Sequence, residues 1–180
     1  MRIHIYIWLG VCIIVAIYGM GVYGYDSWLA RKNPIITCGV EQSWAKWLYE
    51  NGRYFAAAAT RSTDVAHTGN YAVKLGTGYS YGLGYTWEVP PKAGTRVEVA
   101  VWRYNADRPG VGVLVAKTKA SKPIFLLETD TVRQLQPDGW QLLRDTFVVP
   151  PGLHDPLEIF AFVQIGKGCV YFDDLSITCW

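Results

Sequence analysis

Asp173 is the first residue of this 180-residue chain that asks for a chemical explanation. It lies in a final apolar run, Cys169 to Trp180, that reads as a strand. Alternation sets Tyr171, Asp173, Leu175 and Ile177 on one face, and Val170, Phe172, Asp174 and Ser176 on the other. A carboxylate in step with Leu175 and Ile177 points to the apolar side. There it must be paired, hydrogen-bonded or metal-bound.

No catalytic constellation accompanies it. His4, His67 and His154 are scattered, and none has a His or Cys neighbour at metal-binding spacing. Nucleophile elbows, phosphate-binding glycine loops and dinucleotide fingerprints are absent from the sequence. Asp173 and Asp174 are adjacent, so on a regular strand they cannot flank one glycosidic bond. The reading is of a protein that is not an enzyme.

Aromatic residues are the other chemical resource, with 8 Trp and 12 Tyr. Trp102 and Tyr104 share a strand face with Glu98, opposite the valine row Val97, Val99 and Val101. They are expected on an outer sheet surface. The segment Tyr79 to Trp87 places Tyr79, Tyr81 and Tyr85 among glycines, which reads as loop-borne rings beside that face. Rings next to a carboxylate suit a pyranose, whose C–H face packs on the ring while polar groups take its hydroxyls. The alternative is that the same rings pack under a loop or against a protein partner.

These residues need elements to hold them. Pro34 opens a folded part, residues 34–180, of single-domain size. Strand patterns recur at Asn70–Leu75, Tyr85–Val89, Val97–Trp102, Val111–Ala116, Trp140–Val149, Leu157–Ile165 and Cys169–Thr178. Pro- and Gly-rich turns at 90–94, 108–110, 137–139, 150–152 and 166–168 separate them. This is the pattern of an all-β sandwich or barrel. Ser43–Glu50 is ambiguous and could be a helical stretch.

Ahead of the domain, Ile5 to Tyr25 carries no charge. Twenty-one helical residues span about 32 Å, the thickness of a bilayer core. Residues 1–25 therefore read as a membrane anchor or signal-anchor and 26–33 as a linker. A cleaved signal peptide is the rival reading, with Val22 to Gly24 as its small-residue site. The net charge of +2, without a Lys/Arg cluster, argues against a nucleic-acid partner. Cys38, Cys169 and Cys179 allow one disulfide or three reduced thiols; a disulfide would place the domain outside the cytoplasm.

The order of landmarks over about residues 36–178 resembles a carbohydrate-binding-module jelly roll of the galactose-binding-like type. Gly39, Val40 and Glu41 followed by Trp44 and Trp47 are similar to its opening Gly-Phe-Glu and tryptophan segment. His67 to Leu75 resembles its small-Gly strand, and Ala93 to Trp102 its Gly-x-x-Tyr-x-x-Ser-x-Trp strand. Gly139 and Trp140 with Phe147 to Pro150 resemble its Gly-Trp…Phe-x-x-Pro block, and Tyr171 to Leu175 its closing motif. Val40 and Ala72 depart from the usual Phe and Ser.

The resemblance implies antiparallel first and last strands, lying side by side. It also implies a structural Ca²⁺ held by Glu41 and Asp173 with backbone carbonyls near Gly39 and Asn70. A hydrogen-bonded carboxylate without metal is the alternative. With Glu41 near Asp173, it further implies a Cys38–Cys179 disulfide and a free Cys169. The function it implies is a non-catalytic, membrane-anchored glycan-binding module of the cell envelope, periplasmic or extracellular. The alternative is an accessory subunit of a membrane-bound protein assembly, with an envelope protein docked on the sandwich.

Overall fold

The computed structural model describes residues 35–41, 48–49, 52–55, 60–76, 78–105, 112–120, 125–164 and 168–180. The expected anchor and linker, residues 1–33, and Trp44 and Trp47 lie outside them. Among the described residues no helix is long and apolar enough to cross a membrane.

In chain order the strands are β1 (Ile35–Cys38), β2 (Leu48–Tyr49), β3 (Gly52–Phe55), β4 (Arg61–Ser62), β5 (Ala72–Leu75) and β6 (Tyr81–Trp87). They continue with β7 (Arg96–Asn105), β8 (Val113–Thr118), β9 (Leu126–Thr129), β10 (Val132–Leu135), β11 (Gln141–Val148), β12 (Leu157–Phe162) and β13 (Val170–Cys179). They form a seven-stranded sheet, β10-β11-β7-β13-β5-β4 with β1 also on β13, and a six-stranded sheet, β2-β3-β6-β12-β8-β9. The fold is an all-β sandwich. Leu48–Tyr49, inside the ambiguous Ser43–Glu50 segment, is strand.

Alternation fills the space between the sheets. Val97, Val99 and Val101 of β7 are fully buried, as their shared parity requires, and meet Leu157, Ile159 and Ala161 of β12 in one core. At one end of that row Arg103 is also buried. Its Nε and Nη2 donate to Gln141 Oε1 at 3.0 and 2.6 Å, and Nη1 to the Gly112 carbonyl at 2.5 Å. Burial holds its pKa below the ordinary arginine value.

Two expectations fail on glycine chemistry and register. Tyr81–Trp87 is a strand of the six-stranded sheet, and Tyr85 is a fully buried core ring, 5.4 Å and edge-on to Trp87. The glycines there serve close packing. A Cβ on Gly82 would meet Val73 Cγ1 at 3.1 Å and Leu75 Cδ2 at 3.2 Å across the core. The pairing of β6 with β12 also shifts register here, with Leu83 at φ +45°.

The first and last strands do lie antiparallel, but Cys38 stands opposite Leu175 and Cys179 opposite Val97. Four residue steps along β13 separate Leu175 from Cys179, on the order of 13 Å of strand, beyond the reach of a bridge. Cys38 and Cys179 are thiols, not a disulfide. Burial raises the pKa of both, Cys179 to about 11. The compartment argument from a disulfide falls with it.

Candidate functional site

Asp173 is buried, but not for the reason its parity suggested. The β13–β7 pairing shifts register between Asp173 and Ser176, and Asp174 takes φ +50°. The extra residue reverses the parity. Val170 and Phe172 face the core before it; Leu175, Ile177 and Cys179 face the core after it. Asp173 therefore lies on the outer side of the seven-stranded sheet with Tyr171, and chain laid over that sheet covers it.

The bulge falls where β13 changes partners. Residues 170–172 pair with β5 and 175–178 with β1, so β1 and β5 meet end to end on one side of β13. The carboxylates at this junction hold the segment leading into β5. Asp173 Oδ2 accepts the backbone N–H groups of His67 (2.9 Å) and Thr68 (3.2 Å), and Oδ1 that of Asp174 (2.8 Å). Asp174 takes the His67 ring at 2.6 Å and the Thr68 hydroxyl at 2.9 Å. Glu41 Oε1, just past β1, accepts the N–H groups of Asn70 (2.8 Å) and Tyr71 (3.0 Å). Burial, and then the charge of Asp174, raise the Asp173 carboxyl to about 6; its backbone donors pull the other way.

The expected calcium ligands thus split into two kinds. Glu41 and Asp173 do meet the 67–71 segment, but they address its N–H groups, not its carbonyls. Gly39 lies against Asp174, whose Oδ1 would be 3.1 Å from an added Cβ. Among the described residues no group of three or more His, Cys, Asp or Glu is arranged to hold a metal. A hard cation needs roughly 6–8 oxygens. Carboxylates already engaged by N–H donors do not fit it.

The segment held by these carboxylates closes over the aromatic face. Trp102 and Tyr104 do point outward, as their parity requires, yet Trp102 is stacked under the His67 ring at 4.2 Å and 16°. Trp140 meets His67 edge-on at 5.3 Å and Tyr104 at 5.5 Å; Tyr104 also packs on Tyr171 at 6.3 Å. With Ala72 and Val65 these rings make a small second core outside the sheet. Tyr171 donates to Asp64 at 2.8 Å, and Lys74 reaches the same oxygen at 2.7 Å. Glu98 stands apart, 3.8 Å from Arg144. The structure joins Trp102 with Tyr104 but spends both rings internally, and it places Tyr81 on the other sheet.

That other face is differently furnished. On β12, Leu157, Ile159 and Ala161 face the core, so Glu158, Phe160 and Phe162 face out. Tyr81 is 61% exposed and meets Phe160 edge-on at 6.1 Å. Gly84 stands opposite Phe160 on β6. On the opposite side β8 brings Val115 against Phe160, and Lys117 lies 5.6 Å above the ring. Glu158 pairs with Lys119 at 3.6 Å. Tyr79, in the approach to β6, is also exposed. Phe160 is nonetheless buried, at 9% exposure, and Phe162 half-buried, so the ring open to solvent beside them is Tyr81. That both phenylalanines face out follows from the parity they share with Glu158.

No protein-family profile and no curated protein matches the sequence. Among solved structures, the chain is similar to the CBM22-1 xylan-binding domain from Paenibacillus barcinonensis Xyn10C. The identity is 11%, the coverage 82% of this chain and 96% of that one, and the TM-score 0.55. A family 16 carbohydrate-binding module matches at 16% identity over 77% of this chain and 92% of its own, with TM-score 0.47. The C-terminal family 22 carbohydrate-binding module of Clostridium thermocellum Xyn10B matches at 12% identity over 79% and 90%, with TM-score 0.49. At these identities the likeness is one of fold.

Proposed function

We propose that the sandwich is a non-catalytic glycan-binding module whose ligand lies on the outer face of the six-stranded sheet. The observation that carries this reading is the exposed Tyr81 ring set edge-on to Phe160, with Lys117 and Glu158 at its border. An aromatic floor packs on the C–H face of a sugar, and the ammonium and carboxylate take hydroxyls. A fold shared with a xylan-binding domain supports it. This moves the ligand face away from Glu98, Trp102 and Tyr104 and keeps Tyr79 and Tyr81 of the expected set. The His67–Asp174 pair lies against Trp102 and serves the fold, which supports a role without catalysis.

In this reading the uncharged stretch Ile5 to Tyr25 anchors the module in a membrane, with the sandwich outside the cytoplasm. Titration of xylo-, cello- and galacto-oligosaccharides by calorimetry, against wild type and Tyr81→Ala, tests the site. Binding that survives Tyr81→Ala unchanged removes this face from the proposal. An amino terminus near Tyr25 in the mature protein removes the anchor.

A second reading, an accessory subunit docked to an envelope protein, draws on the edge strand β10. Among the described residues it pairs with β11 alone, and its Val132 and Leu135 are exposed. An open strand edge is a template for pairing with another chain. Co-purification of a protein that a Val132→Lys change releases, with no glycan bound, would favour it.

A further inference from the structure

The junction of β1, β5 and β13 contains a cation supplied by the chain. Arg61, at the start of β4, donates from Nε to the Val40 carbonyl at 3.1 Å and from Nη2 to the Glu41 carbonyl. Its guanidinium lies 3.3 Å from the centroid of the Tyr71 ring. The Tyr71 N–H in turn donates to Glu41 Oε1. Glu41 is thus held through its carbonyl by Arg61 and through its carboxylate by the 70–71 backbone.

Val40 pays for this geometry in conformation, at φ +59°. A β-branched residue in the left-handed region is an outlier that persists only where its surroundings enforce it. Two successive carbonyls offered to one cation resemble part of a metal shell. Here a planar fork of N–H donors fills that place, a task matched to guanidinium and not to a point charge.

We propose that this junction is closed by the Arg61 guanidinium together with backbone N–H groups, and that it takes no divalent metal. The oxygens a metal would need are already taken: both of Asp173, both of Asp174 and Oε1 of Glu41 are engaged by N–H or O–H groups or by the His67 ring.

The test uses the purified full-length chain. Its melting temperature is expected to be the same, within about 1 °C, in chelator and in millimolar CaCl₂, because a ligand that does not bind the folded state cannot raise it. Calorimetric titration with CaCl₂ is expected to show no stoichiometric heat. Arg61→Ala is expected to melt lower, to gain nothing from calcium, and to recover part of the loss in about 10 mM ethylguanidinium but not in equal NaCl. If Arg61→Ala does not fold, Arg61→Lys carries the test. A lysine variant melting below wild type supports the fork, and one melting as wild type overturns it. Calcium that raises the wild-type melting temperature by several degrees, with a heat abolished in Glu41→Gln, overturns the proposal.

Discussion

The two outer faces of this sandwich start from the same rule and end differently. On β7, parity sends Trp102 and Tyr104 away from the core. On β12, it sends Phe160 and Phe162 away. The first pair is half-buried under the His67–Tyr71 segment and joins a second core. Of the second pair Phe160 is buried and Phe162 half-buried, and beside them stand an exposed tyrosine and charged neighbours. Strand phase decides which side a ring takes. What the chain lays over that side decides whether the ring is a surface, and here three carboxylates make the decision.

The sharpest way to break the comparison is Trp102→Ala. Removing a ring stacked under His67 opens a hole in the second core, and a loss of about 3 kcal/mol is expected in urea unfolding. A variant as stable as wild type would show the ring stands free, and the two faces would then be alike. Glu41→Ala comes next. It releases the Asn70 and Tyr71 N–H groups, which lie at the surface where water can take them, and should cost about 1 kcal/mol, with faster amide exchange confined to residues 67–71.

A smaller effect follows pH. The Asp173 carboxyl titrates at about 6 in the folded chain, against about 3.9 when unfolded. Between those values the folded state holds more protons than the unfolded one. This group's contribution therefore falls as pH rises through that window and is greatest on its acid side. Melting curves between pH 4 and 7 should carry that slope in wild type and lose it in Asp173→Asn. A slope of opposite sign would mean that the three backbone donors outweigh burial. Smallest of all in stability is Tyr81→Ala, expected within about 0.5 kcal/mol of wild type because the ring is mostly exposed. Its effect belongs to binding, where a loss of tenfold or more in glycan affinity sets the face that carries an exposed ring against the one whose rings pack together.

Much of the fold was legible because alternation is strong where both sheets bury a row. The valines of β7 gave strand and phase together, and the apolar run Leu157–Ile165 gave the strand of β12 without its phase. The edge strands β9 and β10 escaped notice because little of them is buried, so no apolar row marks them. Asp173 was legible as buried, but its neighbours in phase were not, since one residue inserted at Asp174 inverts a pattern whose period is two. Tyr85 was misplaced for a related reason. Glycine marks flexible loops and tight inter-sheet contact alike, and only the positions of Val73 and Leu75 show which applies at Gly82. The cysteines depended on a register that no local pattern encodes.

The arrangement of β1 also has a mechanical side. Ile35 lies opposite Thr178, so the two ends of the folded unit leave it together, at the same end of one antiparallel pair. Tension between them would break the pair one rung at a time, the weakest loading a sheet can meet. Only four rungs are available before the pull arrives at Glu41, where Arg61 and the Asn70 and Tyr71 amides anchor the chain from two directions. Under load, β1 should act as a short tear strip that ends at a rivet, leaving the rest of the sandwich intact.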